Sequence, residues 1–330
     1  MHKLRLRLTV VICTVTLKGQ GLCVVGLIMN NNDNLKQRQA YPLELKVEMS
    51  KLRIREWHKH WHGKVYVAFS GGKDSTVLLD LVRSIYPDTV AVFNNTFNEF
   101  PEVLKFIRTI PNVTWITPKM NVEAAIKKYG YPVISKETSQ KISEARNTKS
   151  KKLLYKRLHG ADNKYKSGRI PFKWQYLIKR GEYQKFKISD KCCDVLKKRP
   201  SRKFEKETGL HPMFGVMAND SHLRNQKNAR KECNSFEGKR LESNPMMFWT
   251  TDDVWAYIKQ HDLPYSSIYD MGWDRTGCVA CCFGLHMEKS DLFHKNRFQR
   301  MKQTHPKLWN YCINKLGLRQ VLNAINVNYE

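Results

Sequence analysis

Two groups of residues in this 330-residue chain have types and spacings that could do chemistry. The first is Ser70-Gly71-Gly72-Lys73-Asp74-Ser75-Thr76. Two glycines let the backbone approach an anion closely. At a helix start the N–H groups point outward and the helix dipole favours negative charge. Lys73 adds a point charge, and Ser70, Ser75 and Thr76 add hydroxyl donors. This is a phosphate-binding run. It is not the Walker pattern, which needs four residues between its first glycine and Gly-Lys-Ser/Thr. The bland alternative is a plain strand–turn–helix connection with a surface lysine.

The second group is sulfur. Five of the nine cysteines form an adjacent pair, Cys192-Cys193, and a tight triplet, Cys278, Cys281 and Cys282, separated from it by 84 residues. Cys-x-x-Cys can offer two thiolates to one metal centre from a single turn. An adjacent pair is awkward for one tetrahedral zinc and easier for a multi-iron cluster, whose irons neighbouring sulfurs can reach separately. Cys192, Cys193, Cys278 and Cys281 are therefore the candidate ligands, of a [4Fe–4S] cluster or, alternatively, of structural zinc. Lys191, Lys197, Lys198, Arg199 and Arg275 flank them and would offset the charge of a ligated cluster. Cys13, Cys23, Cys233 and Cys312 stand alone and read as packing or surface thiols. This usage fits a reducing, cytosolic compartment.

The elements that must position these residues follow from the hydrophobic pattern. Lys64–Phe69 reads as a strand running into the loop, with Val77, Leu78, Leu81, Val82 and Ile85 on one face of the helix beyond it. Leu45–His60 reads as a helix before it, and His58, His60 and His62 as its solvated end. Thr89–Phe93 and Val113–Ile116 read as strands. Helices are expected from Pro101 to about Ile110 and from Asn121 to Tyr129, ending at Gly130. That alternation predicts a doubly wound, mostly parallel α/β sheet. Ligands in such sheets sit beyond the carboxyl ends of strands, where the run at residues 70–76 and the stretch Asn94–Glu99 both fall. A further strand is expected at Met213–Met217, and a helix at Val254–His261 capped by Thr250 to Asp253. No internal repeat is visible.

Net charge is +28, and 41% of residues are hydrophobic. Residues 136–206 hold 23 Lys/Arg against 7 Asp/Glu, a balance of +16, interleaved with Tyr155, Tyr165, Phe172, Trp174, Tyr176, Tyr183 and Phe186. Such a field attracts nucleic acid, nucleotides or acidic partners, and interleaved rings can stack bases. The expected organisation is residues 1–28 as a non-essential extension or a small strand pair, 29–135 as a nucleotide-binding core, 136–206 as a basic helical insertion, and 207–330 as the rest of the core with a helical, cysteine-bearing tail. The apolar runs Leu8–Thr16 and Gly21–Met29 are too short to span a bilayer, so no membrane partner is expected.

Ser70–Ser75 resembles the PP-loop of ATP pyrophosphatases. With it, Phe93-Asn94-Asn95-Thr96, Glu99-Phe100-Pro101-Glu102, Gly215–Arg224, Trp249–Trp255 with Leu263-Pro264-Tyr265, Cys192-Cys193-x-x-x-Lys197-x-x-Pro200 and Arg275-Thr276-Gly277-Cys278-x-x-Cys281 occur in order. Together they resemble the phosphoadenosine phosphosulfate reductase family, in its iron–sulfur branch, within the adenine nucleotide alpha-hydrolase-like superfamily. Met217 and Asp220 depart from the family's arginine and glutamate. The resemblance implies ATP or a related adenine nucleotide held by Ser70, Gly71, Gly72, Lys73, Asp74, Ser75 and Thr76, with Asn95, Thr96 and Glu99 near it. Lys73, Asp74 and Arg224 are the implied catalytic residues. Asp74 helps place Mg²⁺ or serves only the helix start; Arg224 clamps phosphate or is a surface arginine. The implied chemistry is adenylation with pyrophosphate release, coupled to sulfur transfer onto an acceptor that includes DNA or tRNA. A sulfur- or electron-donor protein is an expected partner, and a homodimer is left open.

The family's reductases carry a C-terminal Glu-Cys-Gly-x-His nucleophile. This chain instead ends Val321-Leu322-Asn323-Ala324-Ile325-Asn326-Val327-Asn328-Tyr329-Glu330. A phosphoadenylyl- or adenylyl-sulfate reductase is the second reading, with Cys282 or an external thiol as nucleophile. A non-catalytic nucleotide sensor or nucleic-acid binder, phage- or mobile-element-borne, is the third.

Overall fold

The computed structural model describes residues 10–17, 20–27, 31–161, 168–178, 183, 185–218, 233–238, 240–289 and 294–330. In chain order the elements begin with β1 (Val10–Leu17), β2 (Gln20–Leu27), α1 (Asn31–Gln39), α2 (Leu43–His60), β3 (Val65–Phe69), α3 (Lys73–Arg83), β4 (Ala91–Asn94), α4 (Pro101–Thr109), β5 (Val113–Ile116) and α5 (Val122–Tyr129). Then come β6 (Val133–Ile134), α6 (Lys136–Asn147), α7 (Lys151–His159), α8 (Lys191–Cys193), α9 (Arg199–Thr208), β7 (His211–Met213), β8 (Asn234–Ser235), β9 (Glu242–Ser243), α10 (Thr251–Gln260), β10 (Cys282–Phe283), α11 (Arg297–Thr304), α12 (Pro306–Asn310) and α13 (Leu318–Ala324). The opening apolar runs form an antiparallel pair, β1 with β2.

The main sheet runs in the order β5-β4-β3-β7-β9-β8, and only the β8–β9 pairing is antiparallel among the pairings with a described register. β3 is Val-Tyr-Val-Ala-Phe, buried at four of its five residues, as a strand covered on both faces must be. Its register sets Phe69 against Phe93, and β4 sets Asn94 against Ile116. The expected strand at Met213–Met217 is shorter and earlier: pairing stops at Met213. After the Phe214 N–H donates to the Ser243 carbonyl, the chain leaves the ladder at Gly215, which has no side chain to pack.

The chain divides into two compact units. The first holds Met1–Gly63, Val77–Pro87 and Pro212–Leu263. Trp57, Trp249, Tyr257 and Ile54 fill its core. Lys46 is buried there, paired with Asp253 at 2.7 Å, while Asp253 also completes the capping box of α10 with Thr250. The second unit holds Lys64–Thr76, Asp88–His211 and Pro264–Glu330. In it, Asn121 caps α5 and Gly130, at φ +111°, ends it. The basic insertion is helical in α6, α7 and the turn Phe172–Ile178; α8 continues through Asp194–Lys198 into α9. Among the described residues no helix is long and apolar enough to cross a membrane.

Candidate functional site

The phosphate loop belongs to the second unit. Ser70–Gly72 turns between the end of β3 and the start of α3. Its own hydroxyls fix its shape. The Ser70 N–H donates to Ser75 Oγ at 3.1 Å, and the Ser75 and Thr76 hydroxyls both donate to the Gly72 carbonyl, at 2.9 and 3.1 Å. Gly71 sits at φ +69°, and a Cβ there would lie 2.7 to 2.9 Å from Ile107 and Val103 of α4. Only glycine fits. Lys73 is 6% exposed, and its ammonium meets Asp74 Oδ1 at 2.7 Å. Asp74 thus neutralises the lysine at the helix start.

Tyr269 and Thr276 lie directly over this loop. The Lys73 N–H donates to the Tyr269 hydroxyl at 2.9 Å, and a Cβ on Gly72 would lie 2.6 Å from Thr276 Oγ1. Burial pushes the Tyr269 phenol up against the opposing bonds to Lys73 and Thr276. The segment leading into the second cysteine group is therefore also the cover of the phosphate loop.

The turn after β4 makes the second connection. Glu99 accepts from the Thr96 N–H, the Asn98 N–H and the Thr96 hydroxyl, the last at 2.5 Å. Thr96 is fully buried and committed to this turn. Asn95 instead lines a cavity of about 550 Å³ with Ile107, Arg108 and Trp115. Asn98 grips the cysteine segment: its carbonyl accepts from the Val279 N–H at 2.8 Å and its Oδ1 from the Ala280 N–H at 3.1 Å. Asn94 grips the other half by donating to the carbonyls of Leu196 and Lys197, at 3.1 and 3.0 Å.

The candidate thiols lie close enough to influence one another electrostatically. Burial pushes the Cys192 thiol up to about 12, with Cys278, Cys193 and Cys281 adding to the rise and Lys197 opposing it. Burial, then Cys278, also raises Cys281. Lys197 is solvent-accessible. Cys278, with help from Glu99 and Cys193, holds its ammonium above the usual lysine range. Lys197 thus faces both the sulfurs and the turn after β4. From α11, Arg297 donates to the carbonyls of Phe283 and Cys281, at 2.7 and 3.3 Å, and pairs with Glu288. Parallel pairing of β10 with β6 anchors Cys282 opposite Val133. Among the described residues, no three His, Cys, Asp or Glu side chains are gathered as one metal ion would need. A polynuclear cluster draws on more widely spaced sulfurs, and four thiols with a facing cation suit it chemically.

The structure thus brings Ser70–Thr76, Asn95, Thr96, Glu99, Cys192, Cys193, Cys278 and Cys281 into one unit. Arg224 lies outside the described residues. Tyr269, Thr276, Asn98 and Asn94 were not singled out from sequence as links between the two groups. Each acts on residues far along the chain, which leaves no local pattern.

The family model for the phosphoadenosine phosphosulfate reductase domain matches two overlapping stretches, residues 64–166 and 132–283. The chain belongs to this family. It is 28% identical over 254 residues to an uncharacterized protein of Methanocaldococcus jannaschii, covering 74% of this chain but only 40% of that relative. It is 27% identical over 234 residues to an adenosine 5'-phosphosulfate reductase of Staphylococcus haemolyticus, covering 69% of this chain and 74% of that enzyme. Among solved structures, the phosphoadenylyl-sulfate reductase of Candida auris aligns with a TM-score of 0.41 and 17% identity, over 77% of this chain and 97% of that one.

Proposed function

We propose that the chain is an adenine-nucleotide enzyme of sulfur chemistry. It binds ATP or a close relative on residues 70–76, with an iron–sulfur cluster on Cys192, Cys193, Cys278 and Cys281. One observation carries the reading: the segment Tyr269–Ala280 touches the phosphate loop at Gly72 and Lys73 and the turn after β4 at Asn98, while bearing Cys278. Nucleotide site and thiols share their supports.

The loop's amides and Lys73 would stabilise the charge that develops as an acceptor attacks the α-phosphorus and pyrophosphate leaves. Freeing Lys73 for this requires exchanging its pairing with Asp74 for one with phosphate, and Asp74 then becomes available to Mg²⁺. A bound cluster would supply electron or sulfur relay at this site. Lys197 would balance thiolate charge next to it. The positive insertion suits a nucleic-acid acceptor.

The sulfonucleotide reductase reading has a relative's name in its favour, but a thiol nucleophile must be reachable. Cys282 is fully buried in β10 and Cys312 is fully buried as well. Outside the four candidate ligands, the cysteines whose side chains are described are all buried, so that reading needs a thiol from elsewhere. Labelled substrates separate the two. Pyrophosphate released from ATP supports the proposal. Sulfite released from adenylyl sulfate with added thiol, and no pyrophosphate from ATP, overturns it.

A further inference from the structure

A cavity of about 840 Å³ contains no residue of the phosphate loop or of the cysteine set among its lining. It lies in the second unit, where the basic insertion meets the final helices. Three kinds of group line it: the rings of Tyr176 and Tyr183, the cations Lys185 and Arg319, and the amides Asn323 and Asn326. No Asp or Glu is among its described lining residues.

The rings are held in place. Their centroids stand 5.1 Å apart at 68°. The Tyr176 hydroxyl donates to the Ala324 carbonyl at 2.6 Å, and Arg146 holds the Tyr183 carbonyl at 2.6 Å. The polar groups are available: Lys185, Asn323 and Asn326 are exposed, and among the described residues no side-chain hydrogen bond or ion pair engages them.

Fixed rings accept a flat π-system, amides read donor and acceptor edges, and Lys185, which no carboxylate among the described residues engages, draws an anion, while Arg319 is shared with Glu330 at 3.5 Å. A nucleotide combines all three. The balance of +16 over residues 136–206 favours a polyanion over a lone mononucleotide. We propose that this cavity seats an unpaired nucleotide of a single-stranded nucleic acid. The proposal extends the acceptor half of the function above and is independent of its ATP and cluster parts.

The test is fluorescence anisotropy of the full chain with labelled single-stranded RNA and DNA of about 12 nucleotides, against adenosine monophosphate as competitor. Asn323→Ala with Asn326→Ala should weaken strand binding about tenfold at fixed salt and leave the salt slope unchanged. Lys185→Gln should reduce that slope by about one. Tyr183→Leu should act like the amide pair; should it fail to fold, the exposed amide variant still decides. ATP binding should be unchanged in each variant, so failure of this proposal is distinguishable from failure of the loop's role. Unaltered strand affinity in the amide variant would overturn the proposal, as would a mononucleotide that binds as tightly as the strand.

Discussion

The phosphate loop and the cysteine set sit in the same unit yet are built in opposite ways. The loop is seven consecutive residues that shape themselves. Its hydroxyls bond its own backbone, its lysine is neutralised by the adjacent Asp74, and glycines fill the two positions where a side chain would collide. The cysteine set is gathered from two segments by outside hands: Asn94 and Asn98 from the turn after β4, Arg297 from α11, and β6 through its pairing with β10. The loop is a preformed cradle. Burial raises the Cys192 and Cys281 thiols, and a bound ligand would offset the cost of bringing such groups together. A cradle should survive loss of the sulfurs, whereas the sulfurs should depend on single distant bonds.

The largest expected effect separates the two directly. Lys73→Ala should lower pyrophosphate release about 10²- to 10³-fold while iron content per chain stays unchanged. Loss of iron in that variant would mean the two regions are not built independently. Next comes a pair of glycines. Gly71→Ala places a methyl against Ile107 and Val103 at a left-handed backbone position and should cost about 2–4 kcal/mol. Gly277→Ala, with nothing within 4 Å of its Cβ, should stay within about 0.5 kcal/mol. Urea unfolding of both variants checks the contrast, and equal costs would break it.

Asn98→Ala should cost about 1–3 kcal/mol, because the Ala280 N–H it satisfies is buried. That variant should also lose iron faster on dialysis, while ATP affinity stays within about twofold. The smallest effect is on pH. Burial lowers His58, which stacks on Tyr86, and burial with the Lys173 charge lowers His286. For a histidine held below its ordinary 6.5, the unfolded chain binds the extra proton first. Stability should therefore be flat above about pH 6.5 and fall as pH drops through and below it. At Glu144 burial works upward, but bonds from Gln140 and Arg157 outweigh it and lower the carboxyl. A further loss should then begin near pH 4.5 as pH falls. Melting temperatures across pH 4–8 check both windows.

The same contrast explains what was legible in the sequence. A self-shaping loop must carry its instructions contiguously, so Ser70–Thr76 and the strand before it could be read from residue types alone. The parallel order of β3, β4 and β5 followed from strand and helix spacing, and Val113–Ile116 fell where expected. The cysteines were visible by chemistry. What joins them to the loop was not. Lys73 and Tyr269 are 196 residues apart, and Asn98 and Ala280 are 182 apart. One tyrosine or asparagine carries no periodicity, so only folding identifies its partner. Met213–Met217 was misread because its apolar composition hid the break at Gly215.

Joint ligation of an iron–sulfur cluster by Cys192, Cys193, Cys278 and Cys281, as proposed above, is open to direct test. Its most direct measurement is iron, acid-labile sulfide and zinc analysis of anaerobically purified protein, alongside Cys278→Ser. About four iron and four sulfide per chain are expected, lost in the variant while its fold is retained. One zinc per chain in the native protein, or iron retained in Cys278→Ser, would contradict it.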